Sequence, residues 1–319
     1  MGEMVLRDVW LARKRIESIV KPTPLVYSEF FSERSGQPVY LKMEQSHPAG
    51  SFKIRGAANK LLSLTEEEKK RGVTTFSTGN HGIATAYAAR QMGISCTVCI
   101  SRRVPEAKLS RLKRLGADIE QTGAGQDEAA VRCRELASKY GMTIIQPFDD
   151  PEVIAGQGTI GLELMEQLPE LKEVVIPLSG GGLLSGIGFV LKKMDPTVSV
   201  TGVTMERSAV MQASLKKGAV VKLEEEYTLA DSLLGGIGED NRYTFSMTRS
   251  LMDKGVLLQE NRIKEGLYSL LDHHKIIVEG AAAVGAGYLL DQPVSEGPVV
   301  LIITGNNVDT NTVKTWMDS

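Results

Sequence analysis

The chain has few cysteines, no excess of charge of either sign and no long apolar run, and each shortage removes a class of protein. Three cysteines in 319 residues, an odd number, imply no disulfide framework. A net charge of -2 leaves no basic footprint, so a nucleic-acid partner is not expected. No apolar stretch approaches the roughly 20 residues of a membrane span, and no membrane partner is expected either. The opening MGEMVLRDVW lacks a signal-peptide core, and Leu6 stands where a myristoylation site needs Ser or Thr. A reducing cytoplasm is the expected compartment.

Cys96 and Cys99 form a C-x-x-C pair. They lie in ISCTVCIS, which reads as a strand, where an odd offset points two side chains to opposite faces. The pair is expected to be small buried hydrophobes rather than a redox or zinc couple.

What is present is the composition of a globular protein, 42% hydrophobic and 24% charged, long enough for two domains. From about residue 50 helix and strand alternate, as a parallel α/β fold requires. The spacing predicts helices over 51–63, 82–92, 105–116 and 127–140, with strands over 73–77, 94–100, 117–122 and 142–148. A second series begins with the buried-type run EVVIPL (173–178), then a glycine loop, a helix, VSVTGVT (198–204) and PVVLIIT (298–304). The expected organisation is a large α/β domain of residues 1–48 plus 149–319. A small α/β domain of residues 49–148 is inserted in it.

Four stretches carry chemistry. Ser179-Gly180-Gly181-Gly182-Leu183-Leu184-Ser185-Gly186 links a buried strand to a helix, where free N–H groups and the helix dipole favour a phosphate. No Lys-Ser/Thr pair follows, so a nucleoside-triphosphate loop is excluded. A dinucleotide fingerprint stays open, because Glu206 stands twenty residues after Gly186, where a ribose-binding acid would sit. Lys53, between Phe52 and Ile54, is a candidate Schiff-base amine, since partial desolvation frees a lysine's lone pair. Its rival is a lysine snorkelling at a helix start. Ser77-Thr78-Gly79-Asn80-His81-Gly82 makes a neutral cup for a carboxylate, or else an ordinary helix N-cap. Ile303-Thr304-Gly305-Asn306-Asn307-Val308-Asp309 alone says little.

In this order and spacing the four motifs resemble the serine/threonine dehydratase branch of the tryptophan-synthase-β-like pyridoxal-phosphate enzymes, fold type II. The resemblance runs from KPTPL at residue 21 to NNVD at 309. A tighter similarity is to the dehydratases of hydroxyectoine utilisation, through IAGQGTIGLE, LSGGGL, TLADSL, GGIG and VEGAAAVG. The resemblance implies open, mostly parallel twisted sheets, an active site in the interdomain cleft, a homodimer, and pyridoxal 5'-phosphate on Lys53. It implies that Asn80 bonds the cofactor's phenolic oxygen, with Phe52 and Glu279 beside the cofactor. Gly180, Gly181, Gly182 and the Leu183 N–H would cradle its phosphate, and Thr304 would face the pyridine nitrogen. Ser77, Thr78, Asn80 and His81 would hold the carboxylate of a small amino-acid substrate.

The chemistry so implied removes the β-hydroxyl of a 3-hydroxy amino acid, giving a 2-oxo acid and ammonia. Lys53 and Thr78 are the candidate catalytic residues. Thr78 stands where serine racemases place a second acid/base serine, so racemisation is not expected. Thr204, Ser208 and Val210 occupy the racemases' three metal-ligand positions, so no metal is expected. Ten residues after Asp309 leave no room for a regulatory domain, which implies a catabolic role. A β-replacement synthase, a racemase of the same fold and a nicotinamide-dependent dehydrogenase are the competing expectations.

Overall fold

Alternating helix and strand is what the chain builds. In the computed structural model, residues 4–77, 79–102, 106–123, 126–291 and 294–318 are described. The first elements are α1 (Leu6–Ile16), β1 (Leu25–Tyr27), α2 (Glu29–Ser35), β2 (Val39–Lys42), α3 (Lys53–Ser63) and α4 (Glu66–Arg71). Then come β3 (Val73–Thr75), α5 (Asn80–Gln91), β4 (Cys96–Ile100), α6 (Glu106–Arg114), β5 (Asp118–Gln121), α7 (Gln126–Tyr140) and β6 (Thr143–Ile144). The second series runs α8 (Pro151–Gln167), β7 (Glu173–Pro177), α9 (Gly182–Met194), β8 (Ser199–Met205), α10 (Val210–Lys217) and α11 (Thr244–Leu251). It ends with β9 (Lys254–Leu258), α12 (Glu260–His274), α13 (Gly280–Leu289), β10 (Val299–Ile302) and α14 (Thr310–Asp318).

The chain divides into two compact units. One comprises Met1–Lys21, His47–Ala49 and Lys53–Gly156, the other Pro22–Ser46, Gly50–Phe52 and Gln157–Ser319. Residues 4–21 thus group with the smaller unit, where the sequence pattern places them in the larger one. The reason is an apolar stripe: Val9, Ala12 and Ile16 are buried along one face of α1. Ile16 and Val20 enter the core that holds Ala57 and Leu61. Each such large side chain contributes roughly 1.5–3 kcal/mol on burial.

Among the described residues the smaller unit has a four-stranded parallel sheet, ordered β5-β4-β3-β6. Buried Ala84, Ala86, Ala88 and Ala89 let α5 pack closely on α3. Cys96 lies in the core with Ala57 and Ala88, whereas Cys99 packs with Ala129, Cys133 and Leu136. The two halves of the C-x-x-C therefore face apart. β6 is shorter than MTIIQPF suggests; it is an edge strand, and Pro147 has no N–H to extend it.

The larger unit has a sheet ordered β1-β2-β10-β7-β8-β9, parallel except for the antiparallel edge strand β1. β7 is buried throughout, which is why it is apolar without alternation after Glu173, whose carboxylate accepts from Thr201 Oγ1. α13 is buried along its whole length and lies against α12. A Cβ on Gly266 would sit 2.5 Å from the Ala283 carbonyl, so the close approach requires glycine there.

Candidate active site

In the smaller unit, Lys53 opens α3 half-buried, and its Nζ donates to the Pro147 carbonyl at 2.7 Å. Two residues earlier, the Ile145 carbonyl accepts from Thr75 Oγ1 at 3.0 Å and meets His81 Nε2 at 2.8 Å. A carbonyl only accepts, so Nε2 carries the imidazole hydrogen and His81 is a neutral donor. Burial, then the Lys53 charge, presses its pKa down to about 3; the Ile145 hydrogen bond only partly opposes them. His81 is therefore no base at neutral pH.

The loop before α5 is set by two contacts. Gly79 N–H donates to Ser77 Oγ at 3.3 Å, and Gly79 is the N-cap. A Cβ on Gly82 would fall 1.9 Å from the Ser77 carbonyl, so only glycine lets the helix start beneath that loop. Asn80 begins the helix and is buried. Thr78 lies outside the described residues.

In the larger unit, β7 and β10 are parallel neighbours, so the loops following them leave the sheet at the same end. In parallel α/β sheets that end is where ligands bind. After β7, Gly181 caps α9 with φ +83°, and Ser185 N–H closes the first turn onto its carbonyl at 2.8 Å. The N–H groups of Gly182, Leu183 and Leu184 have no partner within the helix, and no acidic side chain occupies that first turn. A Cβ on Gly181 would meet Thr248 Oγ1 at 2.6 Å. Thr248 Oγ1 and Ser185 Oγ are buried and unpartnered among the described residues.

After β10, Thr304 is buried and its Oγ1 is likewise unpartnered among the described residues. Its carbonyl accepts from Phe52 N–H at 3.0 Å, and Ser51 pairs with Gly305. Glu279 caps α13 and donates its own N–H to the Gly305 carbonyl at 3.2 Å. Its Oε1 is 2.9 Å from where a Gly305 Cβ would be, so the carboxyl lies against that glycine. Phe52, Glu279 and Thr304 are thereby gathered at one place, and Lys53 follows Phe52 directly in the chain.

Glu206 is exposed, and Arg207 pairs loosely with Glu226 at 3.7 Å. Thr204 Oγ1 donates to Met205 Sδ, while Ser208 Oγ donates to the Glu224 carbonyl and accepts from Glu226 N–H. The Pro147 and Ile145 carbonyls and the Thr248 hydroxyl carry no motif, and the sequence reading missed them. No spacing signal could have placed Thr248 beside Gly181.

A sequence profile described as pyridoxal-phosphate dependent enzyme matches residues 16–305. The chain belongs to that family. Pyridoxal phosphate is accordingly its cofactor, and the dehydrogenase reading of the glycine loop falls. The chain is 40% identical over 311 residues to an L-threonine ammonia-lyase of Thermotoga maritima, covering 97% of this chain and 77% of that one. Among solved structures it is similar to threonine deaminase isoform 2 of Solanum lycopersicum, at 32% identity and TM-score 0.90, covering 99% and 94% of the two chains. It is similar also to the serine racemase of maize, at 30% identity and TM-score 0.92, covering 98% and 96%. The fold is therefore fold type II. The residues fit the cofactor: a half-buried lysine amine resting on a backbone carbonyl, a helix that starts on glycines with no acid in its first turn, and a buried hydroxyl unpartnered among the described residues.

Proposed function

We propose that this chain is a pyridoxal-phosphate dependent lyase that eliminates the β-hydroxyl of a small 3-hydroxy amino acid, giving a 2-oxo acid and ammonia. L-Threonine is the first substrate to expect, because the Thermotoga and tomato relatives carry that name. The observation that carries the reading is Thr304, whose buried hydroxyl is without a partner among the described residues.

When bound, the cofactor supplies a sink for the electrons freed at the substrate Cα. The Lys53 amine holds the cofactor, and Phe52 and Glu279 border it. The N–H groups of Gly180, Gly181, Gly182 and Leu183 hold its phosphate, and Asn80 bonds its phenolic oxygen. Thr304 would offer its ring nitrogen a neutral hydroxyl, which cannot hold a full positive charge there as a carboxylate would. A hydroxyl at that position would suit the early loss of a β-leaving group over long storage of charge at Cα. The substrate carboxylate is taken by the loop of Ser77, Thr78, Asn80 and His81, largely through N–H groups at the start of α5. The freed Lys53 amine removes the Cα proton.

A net charge of -2 supports a small-molecule partner rather than nucleic acid. No helix among the described residues is long and apolar enough to cross a membrane. The proposal includes a homodimer in a reducing cytoplasm.

The test is product analysis with L-threonine, L-serine and hydroxyectoine-derived amino acids, the last because of the sequence stretches noted above. Release of 2-oxobutyrate and ammonia from threonine supports the reading. Serine turnover in deuterated water that gives D-serine as fast as pyruvate would replace it with a racemase.

A further inference from the structure

Cys99 of β4 and Cys133 of α7 bracket a single hydroxyl. Thr74 Oγ1 lies 3.7 Å from Cys99 Sγ and 3.4 Å from Cys133 Sγ. The two cysteines belong to one buried cluster. All three side chains are buried. Nothing in the lyase chemistry uses them, and Cys96, the sequence neighbour of Cys99 in the C-x-x-C, is in a different core on the other face of the sheet.

We propose that Cys99 and Cys133 form a peroxide-sensitive dithiol that closes to a disulfide. Both sulfurs lie within 3.7 Å of the same Thr74 hydroxyl and come from elements the fold holds side by side, β4 and α7. Closing the bond brings the two sulfurs from beside that hydroxyl to about 2.05 Å apart. The pair belongs to a satellite cluster of four buried residues, bordered by half-buried Phe76, Met142 and Ile144, rather than to the main core. Hydrogen peroxide is little larger than water, and local opening beside α7 admits it.

Cys99 is the attacking sulfur. The hydrogen bond from Cys133 holds its thiol below the ordinary range, while the same bond and burial push Cys133 upward. The Cys99 sulfur attacks one peroxide oxygen, the O–O bond breaks, and a sulfenic acid forms. The expelled hydroxide leaves as water with the Cys99 proton. The Cys133 sulfur then attacks the Cys99 sulfur and displaces its hydroxyl, which leaves as water with the Cys133 proton. Two thiols lose two hydrogens and two electrons, and one peroxide is reduced to two waters. Thr74 Oγ1 donates to whichever sulfur carries charge. Cys96 does not compete, because burial pushes its thiol up to about 12.

The test is intact mass and peptide mapping of the native, reduced full-length protein after exposure to hydrogen peroxide. The expected result is loss of two hydrogens per chain, reversed by dithiothreitol, with a linked Cys99–Cys133 peptide. Cys133→Ser should abolish the link and leave oxygen added at Cys99, while Cys96→Ser should leave the link intact. The wild-type protein decides by itself if a variant fails to fold. Retention of all three alkylatable thiols, a link that includes Cys96, or a link formed only in denaturant would each overturn the proposal.

Discussion

The imidazole Nε2 of His81 donates its hydrogen to the carbonyl oxygen of Ile145 at 2.8 Å. That bond ties the start of α5 to the segment whose next carbonyl but one, Pro147, receives Lys53. Because the folded imidazole stays neutral down to about pH 3, against 6.5 for a free one, it links stability to pH. The unfolded chain takes up a proton there below pH 6.5 and the folded chain does not. The contribution is complete above that value and is lost as pH falls towards 3. Between pH 7 and pH 5 the loss is about 2 kcal/mol. Urea unfolding at both pH values should show that slope in the wild type and its absence in His81→Leu. An unchanged slope in the variant contradicts the neutral-donor assignment.

Gly181→Ala places a methyl 2.6 Å from Thr248 Oγ1 and 2.9 Å from Met211 Cε, at a φ of +83° that L side chains rarely adopt. The loop must shift to accept it, and the phosphate cradle shifts with it. The affinity for pyridoxal phosphate should fall about tenfold or more, near 1.4 kcal/mol. Titrating the apoprotein with the cofactor and following absorbance measures this. Wild-type affinity would separate the loop from the phosphate.

Lys42 is buried in the larger unit, 2.6 Å from Glu163, and donates also to the Thr23 carbonyl and Gln167. Glu163→Leu strands the ammonium and should cost roughly 3–5 kcal/mol by denaturant unfolding. Adding Lys42→Met removes the buried charge and should restore most of the loss. A double variant as unstable as the single one would show that packing, not the stranded charge, sets the cost.

How much of this was legible in the sequence depends on whether the signal is local. The glycine loop, the Lys53 string and the strand β7 announce themselves because backbone freedom and burial are written in consecutive residues. The Ile145 and Pro147 carbonyls do not, since a backbone acceptor leaves no trace in side-chain type. Cys133 gave no sign of sharing a buried cluster with Cys99, because α7 reaches β4 only through the order β5-β4-β3-β6. The placement of α1 failed for the same reason: an apolar stripe says that a face is buried, not against what.

Activity should be independent of divalent metal. Thr204 and Ser208 spend their hydroxyls on internal hydrogen bonds, and Val210 has no donor to offer. Exhaustive chelation should leave turnover within about twofold. A large loss restored by magnesium or calcium, but not by buffer alone, contradicts this.

The central claim is that Lys53 carries the cofactor. Borohydride reduction of the cofactor-loaded protein followed by peptide mapping tests it most directly. The account predicts a pyridoxyl adduct on Lys53, absent from a folded Lys53→Ala variant that has also lost turnover. An adduct on any other lysine, or turnover surviving in that variant, would contradict it.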